Sequence, residues 1–405
     1  MRELLAVILA FATIPILTKK RVPIGGSICI CALLMALLAG LPFHVMGDVV
    51  QVVFTDPRRL EQYAIVLQIG VLGTLLKKYN IIDKVIEHLS GIFRDKRALL
   101  MLIPAMVGML VVPGGAIISA PFIDRLGEGT KISKADRGII NLIFRHISMN
   151  VLPYSNGLLM VAFLLPQIDI YHFIGLNLLF ILIYVVLGYL LYIRKVDGRV
   201  EEVEGSFLSH GAGALLYTAP IYTAVFLNLL FGVPFHLGML VNLGIVFLLH
   251  PNKNYLRDAL EGVNLSILLT FFGVYMIQET ISKMDGLNAL FVTLFQNPAT
   301  ILFAIVLIAL FFGFTTGFHP TALGVMLPII AALGMSYEKT LVYGHLVFIW
   351  SFLGYQFSPF HLCQLFTCEY LGVSTDEIYS GYKPYVLWLV GLTVVYTVGL
   401  LLIIQ

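Results

Sequence analysis

Charge is scarce in this sequence: 25 Lys and Arg and 23 Asp and Glu are spread over 405 residues, 12% in all, while 59% are hydrophobic. A soluble domain carries about 25% charged residues, so much of this chain's outside must face lipid. The same composition excludes disorder. A net charge of +2 without a clustered basic face excludes nucleic-acid binding. Cysteine is scarce too: Cys29, Cys31, Cys363 and Cys368 contain no CxxC pair, so neither a zinc knuckle nor a disulfide framework is supported, and core packing is their reading. The GxxxxGK[ST] loop of an ATP-driven pump is missing, as are HExxH and the nucleophile–base or aspartate pairs of an intramembrane hydrolase. No enzymatic activity and no organic cofactor are therefore expected. Nor does any Asp or Glu lie clearly at mid-membrane depth, since Glu279 and Glu369 map near span ends. That argues against metal-cation substrates and carboxylate proton relays.

Apolar segments are abundant, and they fall into two similar groups. The first lies near 4–18, 24–42, 62–78, 98–126, 133–165 and 168–193; the second near 213–232, 235–250, 264–280, 299–333, 340–370 and 384–404. A crossing needs about 20 apolar residues. The N-terminal segment reads as a span and not as a signal peptide, because its apolar run ends in Lys19-Lys20-Arg21 without a small-residue cleavage site.

Two segments in each group contain Gly and Pro where a lipid-facing helix should be continuous. Segment 98–126 is interrupted by Val112-Pro113-Gly114-Gly115-Ala116, and 299–333 by Thr315-Thr316-Gly317-Phe318-His319-Pro320-Thr321. Each is too long for one crossing and too short for two, which fits a re-entrant helical hairpin. The segments that follow break at Asn150-Val151-Leu152-Pro153-Tyr154-Ser155-Asn156-Gly157 and at Gln356-Phe357-Ser358-Pro359-Phe360-His361. Pro113 and Pro121 recur at Pro320 and Pro328, both offset by 207, and Pro153 recurs at Pro359, offset by 206, as an internal repeat would require. Ahead of the first hairpin, Ile81, Ile82, Val85, Ile86 and Leu89 share one face of a predicted amphipathic helix.

The expected fold is an all-α polytopic membrane protein with about ten transmembrane helices, two re-entrant hairpins (98–126 and 299–333) and two broken helices (133–165 and 340–370). Residues 1–193 form one repeat, 194–211 a cytoplasmic linker and 212–405 a second repeat. Nineteen of the 25 basic residues fall in loops on one side, taken as cytoplasmic; Arg2, Arg58, Arg59, Lys283 and Lys339 fall on the other. Both termini are thus expected outside a cell membrane, the inner one where there are two. With five crossings each, the halves are inverted relative to each other, and the hairpin tips meet near the midplane beside the broken helices.

Broken helices offer anions their N-terminal ends and small cations their carbonyl ends. Backbone at Gly114 and Gly115, with the side chains of Arg145, Ser155, Asn156, Thr315, Thr316, His319, Thr321, Ser358 and His361, are the expected contacts of a substrate. Pro113, Asn150, Asn156, Thr316, Gln356 and Ser358 are the expected contacts of a cation, for which carbonyl and hydroxyl oxygens can serve sodium. Arg145 is the sharpest clue. It lies eight residues past Arg137, roughly 12 Å deeper at 1.5 Å per residue, where an unpaired Arg costs about 2.5–3.5 kcal/mol. Either carbonyls of the broken helices or a substrate carboxylate or phosphate offsets that cost. His146, His345 and His361 read as core histidines more readily than as ligands.

Two inverted halves, each with three spans, a hairpin, a broken span and a closing span, resemble the ion transporter superfamily of divalent-anion/sodium symporters, tripartite dicarboxylate transporter membrane subunits and gluconate and citrate permeases. Val112-Pro113-Gly114-Gly115-Ala116-Ile117-Ile118-Ser119-Ala120-Pro121 looks like the signature of its domain of unknown function 401 branch. The symporters carry Ser-Asn-Thr at each tip; here the second tip keeps hydroxyls and the first keeps only backbone. The resemblance implies an elevator mechanism, often in a homodimer. The expectation is a secondary active transporter of a small organic anion, a carboxylate or sugar acid, coupled to Na+. The alternatives are a sodium/proton antiporter or oxyanion exporter of the same fold, or a passive anion channel.

Overall fold

The computed structural model describes residues 2–20, 22–109, 115–200, 204–296 and 298–404. Pro113 and Gly114 of the first tip and Glu201 to Val203 of the linker lie outside the described residues. Among the described residues the regular structure is helical, apart from one isolated bridge between Asp95 and Arg199. In chain order the helices are α1 Arg2–Lys19, α2 Ile24–Ala39, α3 Phe43–Thr55, α4 Pro57–Lys78, α5 Ile81–Ile92, α6 Lys96–Gly108, α7 Gly115–Gly127, α8 Lys134–Arg145, α9 Ile147–Val151, α10 Asn156–Leu164 and α11 Ile170–Leu191. There follow α12 Phe207–Phe231, α13 Phe235–Leu249, α14 Tyr255–Glu261, α15 Leu265–Ser282, α16 Asp285–Gln296, α17 Pro298–Thr316, α18 His319–Ala332, α19 Tyr337–Gln356, α20 Leu362–Leu371 and α21 Thr375–Ile404.

Their ends follow from local chemistry. Asp56 accepts from the Arg58 amide, and Pro57 sits where a first-turn N–H has no partner anyway. Ser133 and Asp136 form a reciprocal capping box that starts α8, and Asp169 caps α11 on two amides. One expectation needs correcting here. The sequence places Arg59 in a loop, whereas α4 begins at Pro57 and puts Arg59 in its first turn, buried and paired with Glu279 of α15 under the rings of Phe163 and Tyr275.

Among the described residues five helices are long and apolar enough to cross a membrane: Lys134–Leu164 taken as one, Ile170–Lys195, Phe207–Phe231, Leu265–Ser282 and Thr375–Ile404. Pro57–Lys78 with Ile81–Ile92, bent by 67°, makes a sixth if the pair is one span, and shorter apolar helices stand beside them. Side chains such as Leu182, Leu215, Phe231, Leu387 and Ile403 point outward, which suits lipid better than water. By contrast, 67% of the Lys134–Leu164 window is buried in protein, against 22% for Phe207–Phe231 and Thr375–Ile404. The interrupted helix is the inner one.

Around it pack α6 and α7 on one side, α18 on another, and α11, α20 and α21. Deep polar ties hold these pieces in register. Ser119 of α7 donates to the side-chain Oδ1 of Asn141 of α8 at 2.6 Å, and Asn141 Nδ2 donates to the Thr367 hydroxyl of α20 at 3.2 Å. On the outside, α5 buries Ile81, Ile82, Val85, Ile86 and Leu89 and lies against α12, using the face its spacing predicts.

Candidate functional site

The capping box sets where α8 starts, and twelve residues later the helix ends on Arg145. Its continuation is interrupted at His146 and again at Leu152-Pro153-Tyr154-Ser155, where Pro153 has no N–H to donate. The side chain of Ser155 then caps α10. Gly108 ends α6 directly against this break: a Cβ there would stand 2.0 Å from the Arg145 carbonyl oxygen, so only glycine allows the approach. In the other half α17 turns into α18 at Gly317, whose φ of +58° suits glycine. α19 stops at Gln356, and Pro359 precedes α20.

Between these ends lies a cavity of about 210 Å³, ample for a small organic molecule where one water takes about 10–15 Å³. Four helix N-termini face it: Asn156 of α10, Asn264 with Ser266 and Ile267 of α15, Phe318 with His319 and Pro320 of α18, and Leu362 with Cys363 of α20. Of these, α18 and α20 start without a side-chain cap; because Pro320 has no N–H and the Thr321 amide donates to the Phe318 carbonyl, the amides left for a ligand are those of His319 in α18 and of Leu362 and Cys363 in α20. Arg145, His146, Met149, Gly108, Thr270, Gly317 and Tyr355 complete the wall, and no Asp or Glu lines it among the described residues.

Arg145 is 4% exposed, and its Nη1 is buried without a hydrogen-bond partner among the described residues. Two other buried or half-buried arginines each have a carboxylate partner, Arg59 in Glu279 and Arg137 in Asp124 at 2.6 Å, although Arg59 Nε and Nη1 and Arg137 Nε are also left without hydrogen bonds among the described residues. A guanidinium and four positive helix ends, with no carboxylate in the lining among the described residues, make the cavity electropositive. Such a cavity can hold an anion and orient a planar carboxylate on the guanidinium fork.

Among the residues the sequence singles out, Arg145, Asn156 and His319 line this cavity. Gly115 opens α7. The hydroxyls of Ser155, Thr315, Thr316 and Ser358 donate to backbone carbonyls of Met149, Phe311, Phe312 and Phe314. Asn150 donates to the His146 carbonyl and Gln356 to the Tyr382 hydroxyl, leaving Asn150 Oδ1 and Gln356 Oε1 buried without partners among the described residues, as is Thr321 Oγ1. His345 sits between Asn177 at 2.8 Å and Tyr396 at 2.9 Å, a satisfied core histidine. His361 meets His146, with Nε2 atoms 3.1 Å apart, and Tyr355 Oη lies 3.2 Å from His146 Nε2.

The wall contributed by α15 is absent from the sequence reading, which takes 264–280 as an ordinary span. Asn264 carries the missing signal: an Asn directly before an apolar run is an N-cap, and it accepts from the Ser266 and Ile267 amides.

Apolar helices around a largely apolar cavity, into which Arg145 and several helix N-termini reach, define an all-helical protein suited to a membrane. The family described as Protein of unknown function (DUF401) matches residues 2–404, and the chain belongs to it. No curated protein matches the chain.

Proposed function

We propose that this protein is a secondary active transporter of a small organic anion, a carboxylate or sugar acid, in a cell membrane. The observation that carries the reading is Arg145: a buried guanidinium without a carboxylate partner, in a cavity with four helix N-termini and no acidic side chain among the described residues. Burying that charge unpaired is costly, and a bound anion offsets the cost.

The order of helices supports alternating access. From α1 to α11 and again from α12 to α21 come two helices, a short helix, a longer one, an amphipathic one, a helical pair, an interrupted helix and a long closing helix. Read as inverted repeats, this gives about ten crossings and two re-entrant hairpins, with the broken helices and hairpins moving as one body in an elevator, in a homodimer. Sodium coupling is part of the proposal. The oxygens left without partners at Asn150, Gln356 and Thr321 are the hard donors such an ion takes.

Uptake into vesicles reconstituted with the purified protein tests this. Sodium-gradient-driven, saturable accumulation of at least one acid from a panel of radiolabelled carboxylates and sugar acids is expected. Non-saturating flux would make the protein a channel, and absence of any driven uptake would end the reading.

A further inference from the structure

Two imidazoles meet in the cavity wall with their lone pairs facing. His146 Nδ1 lies against the Leu142 carbonyl oxygen, and His361 Nδ1 lies 3.2 Å from that of Gln356. A carbonyl only accepts, so each Nδ1 carries the ring proton. Each Nε2 is then an acceptor, that of His146 with the Tyr355 hydroxyl 3.2 Å away, and the two Nε2 atoms stand 3.1 Å apart. Neither can donate to the other. Two neutral rings held this way repel, and a cation between them removes the repulsion.

A third donor stands beside them. Cys363 Sγ and the two Nε2 atoms all lie within 4.8 Å of one another. An imidazole whose Nδ1–H is fixed by a backbone carbonyl while Nε2 points at a shared centre is the arrangement of a metal ligand, the carbonyl setting both tautomer and ring orientation. We propose that His146, His361 and Cys363 bind a zinc ion in the cavity wall. Zinc–nitrogen distances of about 2.0–2.1 Å and a zinc–sulfur distance of about 2.3 Å place tetrahedral ligand atoms about 3.3–3.6 Å apart. The imidazoles nearly meet this already, and the thiol, on a side chain with one rotatable bond, closes the remaining distance. One thiolate and two neutral imidazoles are soft enough to select zinc over sodium, magnesium or calcium. Binding releases the thiol proton to solvent, so the occupied site carries one net positive charge. His146 and Cys363 both line the cavity, so the fourth position opens there, for water or an anionic oxygen. The site does not depend on transport: either reading can fail while the other stands.

Full-length protein purified in detergent, without chelator or metal-affinity resin, gives the test by elemental analysis and by titration of the stripped protein with Co2+. The expected result is about one equivalent of zinc per chain, and saturable cobalt binding with a thiolate-to-cobalt charge-transfer band that zinc abolishes. Cys363→Ser is expected to remove the band and weaken binding by more than the ~10–100-fold that loss of an outer-shell partner costs, whereas Cys368→Ser leaves both intact. If the Cys363 variant does not fold, protection of Cys363 from alkylation by zinc in the wild type answers the same question. Metal-free protein with no cobalt band, or a band that survives in folded Cys363→Ser, overturns the proposal. So does a shared N–H···N proton between the two rings, seen by NMR in protein that takes up no zinc.

Discussion

At the scale of single residues, Arg145 and Gly108 depend on each other. Arg145 is available to a ligand because the helix that carries it ends there, and Gly108 lets α6 touch that end. Arg145→Ala is expected to weaken binding of a transported acid by roughly 10–150-fold, the worth of a charged hydrogen bond of about 1.5–3 kcal/mol; thermal-shift titration of the purified protein measures it. The variant is expected to remain folded, since it removes a charge that the protein leaves unpaired. Gly108→Val acts differently. Its side chain would collide with backbone and not with a flexible neighbour, so a loss of about 1–3 kcal/mol is expected, read as a lowered unfolding temperature. Arg145 was legible because charge at depth is rare enough to stand out. The hydroxyls were not: Ser and Thr near helix ends satisfy backbone carbonyls as readily as ligands, and nothing in Thr316 or Ser358 as letters separates the two uses.

At the scale of elements, the interruptions of α8–α10 and α19–α20 were legible because proline and glycine act locally. Where α15 begins relative to the cavity was not, because that depends on how distant helices pack. The same gap explains Arg59, whose burial follows from α4 starting one turn earlier than its hydropathy suggests. Tertiary ties between elements also set a pH response. Lys78 at the end of α4, with Tyr79, holds the Asp258 carboxyl of α14 below the usual carboxylate range by hydrogen bonding to it. A lowered folded pKa means stability that is present at neutral pH and lost as pH falls through that value. Wild type is therefore expected to lose thermal stability on acidification below the ordinary Asp range, and Asp258→Asn to start lower at neutral pH and lose less. Unfolding scans across that range compare the two.

At the scale of the whole molecule, composition alone indicated lipid, since 12% charge cannot cover a chain of this size, and the outward leucines of α11, α12 and α21 agree. The repeat and its inversion are further inferences from order and from loop charge. They carry a consequence: single cysteines placed at residues 2 and 404 are expected to react with an impermeant thiol reagent added outside intact cells, and labelling only after lysis would invert the topology.

The cavity's positive potential comes largely from peptide groups at helix ends and from a guanidinium, and neither changes protonation in the physiological range. The chamber is thus a fixed charge filter. If it holds the proposed acid and no zinc sits in its wall, acidity alters its occupancy chiefly by neutralising the acid itself, so the pH profile of binding should follow the ionisation of whichever acid is offered and shift from one acid to the next.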